Sequence, residues 1–228
     1  MSNFNSLAVI PARGCSKGIP RKNLRLLGGI PLVAHSIILA QEAKCFDRII
    51  VSTEDAELAE IAIHYGAEVP FLRPVELAGD KDSVSGAENH LLSQLAKEGF
   101  HPDFCTTLYP THPFRTPALL AHLVNKGREG YSPVLTVREI VTSSDAFVRC
   151  DADGNLSPIV PSIQVDANES RWYRPYGYFT GKNPGVNDRP FFHVLKEPLE
   201  WIDIDTFNDL ALAEEIIRNG LNVFKYAA

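Results

Sequence analysis

The stretch Leu7-Ala-Val-Ile-Pro-Ala-Arg-Gly-Cys-Ser-Lys-Gly-Ile-Pro-Arg-Lys-Asn23 decides how the rest of the chain is read. Its first four residues are an apolar run ending at Pro11, the pattern of a strand buried on both faces of a parallel sheet. The loop that follows carries Arg13, Lys17, Arg21 and Lys22 around Gly14 and Gly18, with Arg25 just beyond. In open α/β sheets ligands bind at the C-terminal ends of the strands. Glycine lets the backbone approach an anion closely, and lysine and arginine neutralise it. A triphosphate is the obvious small polyanion for such a loop. The spacing matches neither GxxxxGK[ST] nor GxGxxG. A solvated basic turn is the plain alternative.

Charge placement sharpens the contrast. The chain has 228 residues and a net charge of −6, yet its first acidic residue is Glu42. The segment before Glu42 is therefore +5 and the remainder −11. An acidic total argues against general binding to nucleic acid or to an anionic membrane surface. No apolar run approaches the length of a membrane-spanning helix, and no secretory signal is expected at the N-terminus. Cys15, Cys45, Cys105 and Cys150 are dispersed without a CxxC pair, as in reduced thiols of a cytoplasmic protein.

Outward from the loop, apolar runs and helical periods alternate. Pro31 opens a helix with Leu32, Val33, Ser36, Ile37 and Ala40 on one side. Residues 48–52 read as a strand, 55–65 as a helix ended by Gly66, and 68–71 as a short edge strand. Ser83 is expected to cap a helix running to about Glu98. Residues 104–109 and 133–137 read as strands, with a helix from Thr116-Pro117 between them. The chain ends in an expected strand at 200–205 and a helix at 206–219. This alternation predicts a mostly parallel α/β sheet. Residues 139–190, rich in Pro, Gly, Ser, Asn and aromatics, break the rhythm. They read as an inserted dimerisation arm on an α/β domain formed by 1–138 and 191–228.

A second constellation is Trp201-Ile-Asp-Ile-Asp205. Residues i and i+2 of an extended chain face the same way, so Asp203 and Asp205 project together. Like charges that close repel unless a cation separates them. Mg²⁺ held by one or two carboxylates, with water and phosphate oxygens completing its shell, fits the pair. The alternative is that one aspartate caps the next helix, although Thr206 and Asp209 already form a capping-box pattern. Together the two constellations describe a site for a metal-bound nucleoside triphosphate and nucleotidyl transfer.

Residues 10–23, together with 51–55 (VSTED), 73–80 (RPVELAGD), 110–115 (PTHPFR) and 203–206 (DIDT), resemble the cytidylyltransferases that activate nine-carbon acidic sugars. These are the CMP-sialate, CMP-pseudaminate and CMP-legionaminate synthetases. The resemblance runs from about Leu7 to the last helix; CMP-Kdo synthetases are more distant. It implies a Rossmann-like nucleotidyltransferase fold, homodimerisation through a projecting arm, and the reaction of CTP with a free nonulosonate to give CMP-sugar and pyrophosphate. By this likeness Arg13, Lys22 and Asn23 contact the triphosphate, in a loop that includes Ala12, Gly14, Ser16 and Lys17. Arg73 and Ser83 serve the cytidine end. Asp203 and Asp205 hold Mg²⁺, and with Arg13 and Lys22 form the catalytic set.

The sugar side departs from the sialate pattern. Tyr109-Pro-Thr-His-Pro113 stands where sialate enzymes commonly have Gln-Pro-Thr-Ser-Pro, and Arg174-Pro-Tyr-Gly177 where they often have Arg-Pro-Asn-Gly. Tyr109 and Tyr176 are thus expected to face the sugar. Arg115 and Arg174 are candidates for its carboxylate, with a structural salt bridge as the alternative for each. His112 is expected to pack in its loop. Two other classes fit parts of the pattern: a GT-A-like glycosyltransferase, which also uses Asp-x-Asp, and a non-catalytic nucleotide-binding regulator.

Overall fold

The computed structural model describes residues 4–77, 84–140, 148–150, 156–158, 172–185 and 188–221. Its centre is a six-stranded sheet in the order β10-β6-β9-β5-β1-β4. The strands are β1 (Ser6–Pro11), β4 (Arg48–Ser52), β5 (Phe104–Thr107), β6 (Val134–Ile140), β9 (Trp172–Lys182) and β10 (Phe191–Val194). Two small pairs of short strands lie apart from it: β2 (Leu26–Leu27) joins β3 (Ile30–Pro31), and β7 (Val148–Cys150) joins β8 (Leu156–Pro158). β1 runs parallel to β4 and β5, and β10 parallel to β6. β9 runs antiparallel to both β5 and β6.

Helices cover both faces, which is why β1 is apolar at every position from Leu7 to Ile10. On one side Ala8 and Ile10 share a buried cluster with α1 (Leu32–Ala43), α2 (Ala56–His64) and α4 (Pro117–Arg128). On the other, Leu7, Val9 and Cys105 pack against Leu91 and Leu95 of α3 (Val84–Lys97). The helix starts follow the sequence signals. Asp55 caps α2 by accepting from the Leu58 amide, and Thr116 caps α4 by accepting from that of Leu119, with Pro117 in the first turn. Among the described residues no helix is long and apolar enough to cross a membrane.

Three expectations change. Residues 139–190 are not wholly an insertion, because β9 lies inside the sheet and Tyr178 and Phe179 are buried in the main core. Residues 200–205 do not form a strand. A 3-10 turn at Pro198–Trp201, closed by a Glu197–Glu200 capping box, leads into extended chain tied back by the Ile204 amide on Thr111 O (2.9 Å). The 68–71 segment reduces to one bridge, Glu68 beside Ile50, at the outer edge of β4.

A third cluster positions the site. Ile19 of the basic loop and Ile204, between the two aspartates, are both fully buried alongside Leu27, Leu32 and Phe114. Ala213 and Ile216 of α5 (Phe207–Arg218) close this cluster. Burying two isoleucines contributes several kcal/mol, about 1.5–3 kcal/mol each. Segments almost two hundred residues apart are thereby held side by side.

Candidate active site

The basic loop leaves β1 at Pro11 and turns through a left-handed residue, Arg21 (φ 53°), before the 3-10 turn Lys22–Leu24. Arg21 pairs with Asp55 (3.2 Å) and Glu57 (2.7 Å) at the start of α2. Asn23 is buried and its Nδ2 donates to Arg13 O (2.8 Å), so it fixes the loop's shape from within. Ser16 is half-buried and Lys17 exposed on the outer part of the loop.

The structure joins this loop to the Asp-Ile-Asp segment. Lys22 Nζ donates to Asp205 Oδ1 and to Ile204 O, both at 2.8 Å. Gly18 lies so close that a β-carbon there would sit 2.2 Å from Asp205 O. Ile204 points into the core while Asp203 and Asp205 remain accessible on either side of it. Thr206 and Asp209 form the reciprocal cap of α5, so neither Asp203 nor Asp205 is needed as its N-cap.

Burial pushes the Asp203 carboxyl above the usual carboxylate range; a hydrogen bond from Thr111 opposes this and the nearby Asp205 charge adds to it. A cation between the two would relieve that repulsion. Among the described residues no group of three or more His, Cys, Asp or Glu could enclose a metal. The protein thus offers two hard carboxylates and leaves the remaining positions to water or phosphate oxygens, a donor set that fits Mg²⁺.

On the opposite side of the loop, Gly14 N donates to Glu54 Oε1 (2.8 Å) and Arg73 Nη2 donates to Glu54 Oε2 (2.5 Å). Arg73 and Glu54 are both largely buried, at 7% and 14% side-chain exposure. Arg73 is therefore held inside the site by Glu54 rather than standing free at the surface. Gly14's amide is committed to Glu54, so Gly14 serves close packing, with Asp55 Oδ2 only 2.3 Å from where a β-carbon would stand. The sequence reading overlooked Glu54. Its signal was an acid two residues beyond the end of a strand, next to the helix cap Asp55. Ala12 is buried at the loop's root, and Ser83 lies outside the described residues.

The expected sugar side is built on an irregularity in β9. Leu135 pairs with Thr180 but Val137 with Pro175, so residues 176–179 bow away from β6. Thr136 fills the gap: its hydroxyl donates to Tyr176 O (2.7 Å) and accepts from Phe179 N (3.0 Å). Tyr176 donates its hydroxyl to Trp201 O (2.7 Å), and its ring lies 5.1 Å from that of His112. Gly177 packs against His112 and Tyr109. His112 donates from Nδ1 to Ile202 O (3.1 Å), leaving Nε2 3.8 Å from Asp203 Oδ1. Burial, with Arg115 nearby, pulls the His112 pKa down to about 3, so the ring is neutral and packs as expected.

Arg115 requires correction. It is fully buried, and its guanidinium donates to the carbonyls of Tyr178, His112 and Tyr109 and to Ser36 Oγ. It fastens the 109–112 loop to β9 through three carbonyl oxygens and one hydroxyl, so these bonds occupy the fork that a sugar carboxylate would need. Arg174 is exposed on β9, opposite Arg138 in register.

Residues 7–155 match a family model described as cytidylyltransferase. Over 221 residues the chain is 35% identical to CMP-N,N'-diacetyllegionaminic acid synthase of Legionella pneumophila, covering 92% of this chain and 95% of that protein. It is 41% identical over 218 residues to N-acylneuraminate cytidylyltransferase of Escherichia coli, covering 91% of this chain and 51% of that one. Among solved structures, CMP:2-keto-3-deoxy-manno-octonic acid synthetase complexed with CTP aligns with a TM-score of 0.69 over 95% of this chain and 99% of the other. Their sequences are 16% identical, so this likeness shows the fold alone.

Proposed function

The chain belongs to the cytidylyltransferase family, and we propose that it transfers CMP from CTP to an acidic nine-carbon sugar, a nonulosonate of the legionaminic, pseudaminic or sialic type. The observation that carries this reading is the junction of the two constellations, Lys22 Nζ on Asp205 Oδ1 at 2.8 Å. It sets a cationic anion-binding loop against a carboxylate pair, the two requirements of nucleotidyl transfer. The likeness to the Legionella enzyme along nearly its whole length supports the sugar class.

The sugar's anomeric hydroxyl attacks the α-phosphorus. The new O–P bond forms as the bond to the pyrophosphate oxygen breaks, and the hydroxyl proton passes to solvent. Arg13, Lys17 and Lys22 neutralise charge that builds on the departing pyrophosphate. Glu54 holds Arg73 at the nucleoside end. Asp203 and Asp205 would hold Mg²⁺, which when bound supplies further charge neutralisation at the phosphate oxygens. Tyr109, Tyr176 and Arg174 face the acceptor. Under this reading the enzyme works in the cytoplasm on CTP. It pairs as a homodimer through the start of β9, where Trp172 and Tyr173 stand exposed at 41% and 39%.

The test is pyrophosphate release from CTP and Mg²⁺ with a panel of nonulosonic acids. Release with at least one acid, with the CMP-sugar identified by mass, is expected. Release supported only by other classes of sugar would remove the acceptor assignment. Consumption of a sugar nucleotide in place of CTP would favour a glycosyltransferase.

A further inference from the structure

With Arg115 committed to the core, Arg174 is left as the candidate for the acceptor's carboxylate, and the sheet places a second arginine beside it. Arg138 of β6 stands directly opposite Arg174 of β9. Opposite residues of an antiparallel pair project from one face with β-carbons about 4.5–5.5 Å apart, and like charges so placed destabilise the sheet. Arg138 is half-buried and Arg174 exposed. Among the described residues neither guanidinium has a carboxylate within ion-pair distance. Two cations held together with no acid between them suit an anionic ligand.

Direct contacts tie this pair to the site. Arg138 Cζ lies 4.7 Å from the centre of the Trp201 ring, a cation–π stack that limits where its planar fork can point. Trp201 O accepts from the Tyr176 hydroxyl at 2.7 Å. The Tyr176 ring lies 5.1 Å from that of His112, whose Nε2 is 3.8 Å from Asp203 Oδ1. Burial raises the pKa of the Tyr176 phenol; the charges of Asp203 and Asp205 add to this, and those of Arg138 and Arg174 oppose it. Tyr176 therefore has the carboxylate pair and the arginine pair as neighbours.

The chemistry of the acceptor requires such a neighbourhood. In a nonulosonate the carboxylate and the anomeric hydroxyl are attached to the same carbon. A hydroxyl presented to the α-phosphorus near Asp203 brings that carboxylate close to two protein carboxylates, which repel it. Cations one aromatic side chain away give it a favourable place.

We propose that Arg138, stacked on Trp201 and opposite Arg174, is a specificity-determining residue of the acceptor subsite, where its guanidinium binds the nonulosonate carboxylate together with Arg174. Guanidinium–carboxylate bonds are charge-assisted and geometrically selective, so sugars lacking the acid leave the arginine pair uncompensated and are rejected. The proposal rests on the nonulosonate reading above and deepens it.

The experiment is steady-state pyrophosphate release by the parent, Arg138→Met and Arg138→Lys, with thermal melts alongside. The preferred acid is titrated as substrate at saturating CTP, its methyl ester as a competing inhibitor, and CTP at saturating acid. Arg138→Met should raise the acid's KM by about tenfold or more, the loss of a charge-assisted bond. The ester's inhibition constant and the CTP KM should stay within about twofold, because neither depends on the acid's charge. Arg138→Lys keeps a charge without the fork and should raise the acid's KM by a smaller factor. An unchanged acid KM in Arg138→Met, an equal weakening of acid and ester, or a rise in the CTP KM instead would overturn the proposal. Should Arg138→Met fail to fold, a parental acid KM in Arg138→Lys would overturn it. Failure of the parent enzyme on every nonulosonate would instead strike the acceptor class itself, independently of these variants.

Discussion

Gly18→Ala is the sharpest perturbation of the junction between the loop and the aspartates. A β-carbon there would sit 2.2 Å from the carbonyl oxygen of Asp205, where real contacts stay beyond 3.0 Å. The two segments must therefore separate by roughly 0.8 Å, the difference between those distances. Neither side yields easily. The obstacle is a backbone oxygen, and Ile19 and Ile204 on the two flanks are fully buried in one cluster. Overpacking of this kind costs about 1–3 kcal/mol of stability. The larger effect is on geometry, since Lys22 and Asp205 move apart, and a misplacement near 1 Å costs about 10²-fold in rate. The assay is pyrophosphate release against CTP at saturating acid, with a thermal melt to show that the variant folds. Cys15→Ala, an exposed position in the same loop, serves as comparator and should keep parental activity. A folded Gly18→Ala enzyme with kcat/KM for CTP within about threefold of the parent would refute the claim that this contact sets the site.

Glu54→Gln leaves an amide between two donors, Gly14 N–H and Arg73. It should cost about 3 kcal/mol in urea unfolding and raise the CTP KM, and parental values for both would contradict the positioning role. Arg115→Met strands three carbonyls and should lower stability by at least about 3 kcal/mol; Arg115→Lys should not rescue it, since one ammonium cannot reproduce the planar fork. His35, buried with Nε2 donating to Leu27 O (2.9 Å), has its pKa lowered by burial to about 4. Below pH 6.5 the unfolded chain takes up a proton at this position that the folded chain refuses until about pH 4. Stability should therefore fall across that window by up to about 3 kcal/mol on this account, and His35→Leu should flatten that part of the pH–stability curve.

The elements legible from sequence are those whose pattern is local. β1, α1 and α2 were readable from an unbroken apolar run, a helical period, and a cap with its closing glycine. The pairing of the basic loop with Asp203 and Asp205 was also anticipated, because each carried its own charge logic. What escaped is fixed by partners distant in the chain. β9 holds Pro175, Gly177 and five aromatic residues, a loop-like composition. It is a strand because Cys105, Thr107 and Val134 offer it edges on both sides, and its bowed middle is satisfied by Thr136. The alternation around Ile202 and Ile204 suggested a strand. The alternation in exposure is real, but a single hydrogen bond to Thr111 replaces the ladder. Arg115 looked like a ligand residue because a sequence shows its charge and not the carbonyl of Tyr178, sixty-three residues away, that absorbs it.

The central claim is that the basic loop and the Asp-Ile-Asp segment act as one nucleotide site. Its most direct test is a double-mutant cycle on kcat/KM for CTP, using Lys22→Ala, Asp205→Asn and the pair at fixed Mg²⁺. Two groups in contact within one site should couple by at least about 1 kcal/mol, the double variant losing less than the product of the single losses. Strict additivity, with coupling below about 0.3 kcal/mol, would mean that the two constellations work separately and would contradict the account.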